Sequence, residues 1–63
     1  MKIVREDNFN RDYIPDYLVA ENIQSEYYAN VMCKALNQKY GSARAQFFFV
    51  VKPDDYALKR FEP

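Results

Sequence analysis

The stretch Gln46-Phe47-Phe48-Phe49-Val50-Val51 decides how this chain of 63 residues folds. Five consecutive large apolar residues, all of them aromatic or β-branched, are typical of a buried strand. Side chains alternate along a strand, so Phe48 and Val50 lie on one face and the other apolar residues lie on the opposite face. We therefore predict a central strand at 46–51 that is apolar on both faces.

The clearest local pattern predicts a helix over about residues 25–40. Ser25 can cap its first turn, and Gly41, the only glycine in the chain, stands where a left-handed residue commonly ends a helix. We expect Leu36 to lie at the centre of the contact with the sheet, so that Leu36→Ala nearly unfolds the protein. Apolar residues at helical spacing form the stripe that makes this contact: Tyr28, Ala29, Met32, Cys33, Leu36 and Tyr40.

Three shorter segments complete the predicted fold. Residues 2–5 and 13–21 are expected to form strands, and residues 56–61 a short fourth strand at the edge of the sheet. Residues 42–44 connect the helix to the central strand and make a β-α-β unit, while residues 62–63 form a tail. The sequence thus predicts one α+β domain over 1–63, with a mixed sheet of three or four strands and one helix on one face.

The composition argues against an enzyme and against a bound cofactor or metal. The chain has no histidine, one cysteine and one glycine, whereas acid–base catalysis, zinc sites and phosphate loops need these residues. Cys33 is expected to be a small buried side chain, which fits a reducing compartment. Because no stretch has the length of a signal peptide core or a membrane span, we predict a cytoplasmic protein.

The two apolar faces of the central strand suggest a partner. One helix covers one face, so Phe48 and Val50 would form an exposed patch unless another surface packs on them. We therefore expect a homodimer, or docking on a larger host protein, through this sheet face or through a strand edge. The alternative is that the protein covers the second face itself, with Phe9 and Phe61.

Three other residues are candidates for contact with a partner. Tyr27 and Val31 lie beside the apolar stripe of the helix, either as packing residues at its flank or as an exposed apolar pair. Phe9 interrupts a polar loop, where it either folds onto the core or stays exposed. A partner would then contact Phe48, Val50, Tyr27, Val31 and Phe9.

A second function is suggested by the aromatic strand. Proteins that bind single-stranded nucleic acids stack bases on rings displayed by a sheet face. Residues 44–50 fit such a strand, but the net charge of zero counts against nucleic acid as a partner.

The order of the elements resembles small accessory proteins of phages and mobile elements. The resemblance covers most of residues 17–58 and is carried by three segments: Leu18-Val19-Ala20-Glu21-Asn22, Ala35-Leu36-Asn37 at the end of the helix, and Phe49-Val50-Val51 followed by Asp55-Tyr56. It implies a β-α-β pattern and an accessory or inhibitory role on a host enzyme, and it transfers no functional residue.

Overall fold

The computed structural model describes residues 1–41 and 45–61; the predicted connection at 42–44 and the predicted tail at 62–63 lie outside them. One helix packs on a three-stranded sheet with the strand order β2-β1-β3, which confirms the α+β fold. Both strand pairings are antiparallel, whereas a mixed sheet was predicted. The elements are β1 (Lys2–Asp7), β2 (Tyr17–Ala20), α1 (Glu26–Tyr40) and β3 (Phe47–Lys52).

The central strand of the sheet is β1, so the prediction that residues 46–51 form the central strand is wrong. β1 pairs antiparallel with both β2 and β3, which run parallel to each other without touching. Ile3 and Val4 are fully buried, one on each face. A run of apolar residues indicates side chains that are removed from water, but it does not indicate how many strands pair with the segment. Every residue of β3 is half-buried at the edge of the sheet.

β3 forms one edge of the sheet, and the helix closes this edge. In the register of β1 and β3, Phe49 turns its backbone N–H and C=O groups away from β1. Asn37 of α1 binds both groups: its Nδ2 donates to the Phe49 carbonyl and its Oδ1 accepts from the Phe49 N–H, each at 2.9 Å. The helix packs on β3 and β1 but does not reach β2.

The structure confirms the predicted N-cap of the helix and corrects the prediction for its C-terminal end. Ser25 caps the first turn and accepts a hydrogen bond from the N–H of Tyr28, as predicted. Gly41 is not left-handed: its φ is −90°, and its N–H donates to the carbonyl of Asn37. A Cβ at Gly41 would lie 2.7 Å from that carbonyl oxygen, so a close approach, not a left-handed backbone, requires glycine here.

The helix packs on the sheet through one side of the predicted stripe and not through its centre. Its buried residues are Ala29 and Cys33, and Leu36 is half-buried at the side of the contact, not at its centre. Small side chains at these positions let the helix approach the sheet closely, and the larger apolar residues are left outside. The residues of the predicted stripe that are exposed are Tyr28, Met32 and Tyr40.

The C-terminal segment crosses the second face of the sheet. Residues 56–61 do not form the predicted fourth strand. The Tyr56 hydroxyl donates to Asp16 at 2.5 Å, while the N–H of Asp16 donates to the carbonyl of Lys59 at 2.9 Å. Tyr56 and Lys59 border the same cavity as Phe48, and both Phe48 and Val50 are half-buried. The chain therefore shelters its second face with this segment through Tyr56 and Lys59, whereas Phe61 is exposed.

Candidate interaction surface

Helix α1 turns its larger apolar side chains away from the sheet. Tyr27 is 72% exposed, Tyr28 64%, Val31 50% and Met32 43%. Tyr27 and Val31 are four residues apart, as are Tyr28 and Met32, so the four side chains lie on two neighbouring turns of the helix. We call these four residues the α1 surface. The rings of Tyr27 and Tyr28 meet edge to face with centroids 5.6 Å apart. Monomeric proteins seldom leave a continuous apolar patch of this kind in water, so the α1 surface is a candidate for binding.

A groove lies next to the α1 surface, between the helix and β2. It has a volume of about 550 Å³ and exists because the helix does not reach β2. Met32 belongs to both features and makes them continuous. The residues that line the groove are Val19, Ala20, Met32, Ala35, Leu36, Lys39 and Tyr40.

A β-bulge in β2 shapes the floor of the groove. Ile3 pairs with Ala20 while the next residue of β1, Val4, pairs with Leu18, which leaves Val19 as an extra residue. A bulge of this kind re-aims a side chain next to the irregularity, and Val19 and Ala20 both line the groove here. Val19 is 38% exposed.

Charged residues lie at both ends of the α1 surface and the groove. Lys39 is the charged residue among those lining the groove, in the last turn of the helix. Glu21 is exposed directly after β2, and Glu26 lies in the first turn of α1. The chain between β2 and α1 is short, so the two acidic residues lie toward the start of the helix and the basic residue lies at its end.

Phe9 is also exposed, but it belongs to a different structure. The Asp7 carboxylate is buried and binds Arg11 through Nε at 3.0 Å, Nη2 at 2.6 Å and the backbone N–H at 2.5 Å. These hydrogen bonds lower the pKa of Asp7 to about 2 against the opposing effect of burial. The guanidinium of Arg11 lies 5.3 Å from the Phe9 ring centroid and 6.0 Å from that of Tyr13. Phe9 thus lies beside Arg11 on this loop and does not line the groove.

The second sheet face is polar where the C-terminal segment crosses it. A cavity of about 160 Å³ lies there, bordered by Glu6, Asp16, Phe48 and Tyr56 among other residues. The hydrogen bond to Asp16 raises the pKa of Tyr56 to about 12, with burial as a smaller cause. Glu6 also pairs with Lys52 at 3.3 Å. Phe48 therefore lies beside a network of polar contacts within the chain, and Val50 is half-buried on the same face of the sheet.

The Cys33 thiol does not have the surroundings of a reactive cysteine. The Cys33 thiol is buried, donates to the carbonyl of Phe49 at 3.0 Å, and has a pKa that burial raises above its ordinary value. Such a thiol is a poor nucleophile. Within residues 1–41 and 45–61, no three metal-ligating side chains form a group that could hold an ion.

The rings of the sheet are also engaged in contacts within the chain. The guanidinium carbon of Arg5 lies 4.1 Å from the ring centroid of Phe47 and 4.8 Å from that of Tyr17. The ring of Tyr40 packs against Phe49 at 6.3 Å between centroids. These contacts take up ring surface that stacking of nucleic acid bases would use.

Comparisons with known proteins found no matching family model, no matching curated protein and no matching solved structure. Across the part of the chain that the structure describes, no helix has the length and apolar character needed to cross a bilayer.

The structure brings together two of the five residues proposed for partner contact. Tyr27 and Val31 form the α1 surface with Tyr28 and Met32, whereas Phe9, Phe48 and Val50 lie elsewhere. Sequence reasoning assigned Tyr28 and Met32 to the core. Ala29 and Cys33 carried the missing signal, because two small residues four positions apart favour the close packing of a helix on a sheet.

Proposed function

We propose that this protein is a non-enzymatic protein–protein interaction module that binds through the α1 surface and the adjacent groove. The observation that carries the proposal is the orientation of the helix on the sheet, which buries Ala29 and Cys33 and leaves Tyr27, Tyr28, Val31 and Met32 exposed. Aromatic residues and methionine are enriched in the cores of protein interfaces, so this composition favours a protein partner.

The helix is a better candidate for binding than the strand edges. Asn37 occupies the backbone groups of Phe49 that face outward from the edge of β3. β2 has four residues, contains a bulge and follows Pro15, and these features discourage pairing with another strand. Because Phe48 and Val50 are already sheltered by the C-terminal segment, they supply less apolar surface to a partner than the helix does.

The partner in this proposal is a second copy of the chain or a larger host protein. The buried thiol of Cys33 supports a reducing, cytoplasmic setting, since such compartments keep cysteines unpaired. A role as an accessory factor of a phage or mobile element rests on the resemblance of residues 17–58 alone.

Site-directed photo-crosslinking tests the proposal. A photoreactive phenylalanine analogue replaces Val31 in one variant and the exposed Gln46 in a control variant. After irradiation in a lysate of the native host, the Val31 variant should give discrete protein adducts that the control does not give. Equal labelling at both positions, or none at Val31, would contradict a binding role for this surface.

A further inference from the structure

We propose that the occupant of the α1 surface is the α1 helix of a second copy, packed antiparallel across a two-fold axis near Met32. The inference rests on the function proposed above and names the partner at the same site. Tyr28, Met32, Ala35 and Lys39 are spaced four, three and four residues apart, which is the spacing of a seam between two packed helices. All four are exposed.

The shape of the surface favours its own copy. A two-fold interface needs a patch that fits itself, because each residue meets the same surface on the other subunit. A projecting ring and a depression lie side by side here, since Tyr28 stands one turn before Met32 and Leu36, which lines the groove, stands one turn after it. Antiparallel packing about Met32 places Tyr28 of one copy opposite Leu36 of the other. Each ring then enters the groove of its partner.

The charges agree with the same arrangement. Lys39 lies seven residues after the axis, so it faces the region seven residues before the axis in the other copy, at Ser25. Glu21 is exposed shortly before that region, whereas Glu26 lies on the other side of the helix. The two-fold axis repeats the approach of Lys39 to Glu21, so two pairs of opposite charge border the apolar seam. The net charge of zero adds no general repulsion between copies.

The first test compares Met32→Glu with Asn30→Glu by sedimentation equilibrium of the purified chain over a wide concentration range. Both variants add one negative charge to an exposed position of α1, but Asn30 lies off the seam. The parent and Asn30→Glu should be dimers. Met32→Glu places two carboxylates at the axis and should weaken dimerisation by about a hundredfold or more. Circular dichroism confirms that each variant retains its helix.

The second test reverses the flanking charges. Lys39→Glu and Glu21→Lys should each weaken the dimer by about tenfold, and the double variant should recover the affinity of the parent. Recovery cannot come from a stronger helix, because Lys39→Glu places an acid at the negative end of the helix dipole in both variants.

Two results would overturn the inference: a parent chain that is monomeric at every concentration, or a Met32→Glu variant that dimerises like Asn30→Glu. The crosslinking at Val31 separates this failure from failure of the proposed function. Adducts of Val31 with a different protein, together with a monomeric purified chain, reject the second copy and keep the binding surface. Absence of any adduct at Val31, together with a monomeric purified chain, rejects both.

Discussion

The side-chain amide of Asn37 pairs with the backbone of Phe49 as a neighbouring strand would. It donates to the Phe49 carbonyl and accepts from the Phe49 N–H, both at 2.9 Å. One helical residue therefore supplies what the outer edge of β3 lacks, and the edge is closed without a fourth strand. This contact also ties α1 to the sheet at the level of Cys33, whose thiol donates to the same carbonyl.

Asn37→Ala should destabilise the fold and expose an aggregation-prone edge. Both hydrogen bonds to Phe49 are lost and two partly buried backbone groups remain without their partner, at a cost of roughly 1–3 kcal/mol. Urea unfolding measures the loss, and light scattering follows association through β3. Gln38→Ala is the matched control, because Gln38 is the exposed neighbour. Equal stability of the two variants would contradict the role of Asn37.

Asn37→Asp keeps one of the two hydrogen bonds to Phe49 and removes the other. The carboxylate still accepts from the Phe49 N–H but cannot donate to the Phe49 carbonyl, and its charge faces that oxygen. At neutral pH this variant should be at least as unstable as Asn37→Ala, and it should regain stability as the pH falls and the carboxyl is protonated. A variant whose stability stays independent of pH in the acidic range would count against this geometry.

The Asp7–Arg11 pair should make the free energy of unfolding fall at acidic pH. The folded-state pKa of Asp7, about 2, lies below the ordinary value of 3.8, so the folded state favours the ionised carboxylate. The contribution of Asp7 is therefore fully present above about pH 4 and is lost as the pH falls toward 2. Urea midpoints across this range measure the loss. Asp7→Asn should have a lower midpoint at neutral pH and a flatter acid profile, and an unchanged profile would disprove the assignment.

The sequence predicted which helix and strands form better than it predicted the order of the strands in the sheet. Helix α1, its N-cap and the strand at β3 follow from local patterns of apolar and capping residues. The central place of β1 did not, because Ile3 and Val4 are only two apolar residues in a short polar segment. Their burial comes from pairing on both sides, which depends on contacts between segments far apart in the chain.

Only part of the candidate site was predicted, because the rest also depends on contacts between segments that are far apart in the chain. Tyr27 and Val31 stand out because they fall beside the apolar stripe whichever way the helix is turned. Tyr28 and Met32 were assigned to the core, since a helical pattern gives a stripe but does not fix its rotation on the sheet. The contacts of Ala29, Cys33 and Asn37 set that rotation by bringing the small side of the helix onto β3.

Ile3→Ala and Leu36→Ala should differ sharply in stability. Ile3 is fully buried in the central strand, so its truncation should cost about 3–5 kcal/mol and unfold much of a domain this small. Leu36 is half-buried at the groove, so the cost there should be about 1–2 kcal/mol and the helix should remain. Thermal melts followed by circular dichroism rank the two. Unfolding of Leu36→Ala under native conditions would restore the view that Leu36 is central to the core.

Tyr56→Phe should loosen the C-terminal segment on the second sheet face. The hydroxyl of Tyr56 donates to Asp16, which also accepts from the N–H of Lys59, so one carboxylate holds two points of the segment. Loss of the hydroxyl should cost about 1 kcal/mol, since the site is partly open to water. Hydrogen exchange should then quicken at the Lys59 N–H and leave β1 unchanged. Tyr40→Phe is the control, because that side chain is 62% exposed.

The same hydrogen bond should be visible in the alkaline titration of the six tyrosines. The pKa of Tyr56 in the folded state, about 12, exceeds the ordinary value of 10.0. Its contribution to stability is therefore complete below pH 10 and disappears as the pH rises through 12. Ultraviolet absorbance should show a late-titrating tyrosinate that Tyr56→Phe lacks and Tyr40→Phe retains. If Tyr56→Phe keeps the late phase, another tyrosine carries the raised pKa and Asp16 does not secure the segment through Tyr56.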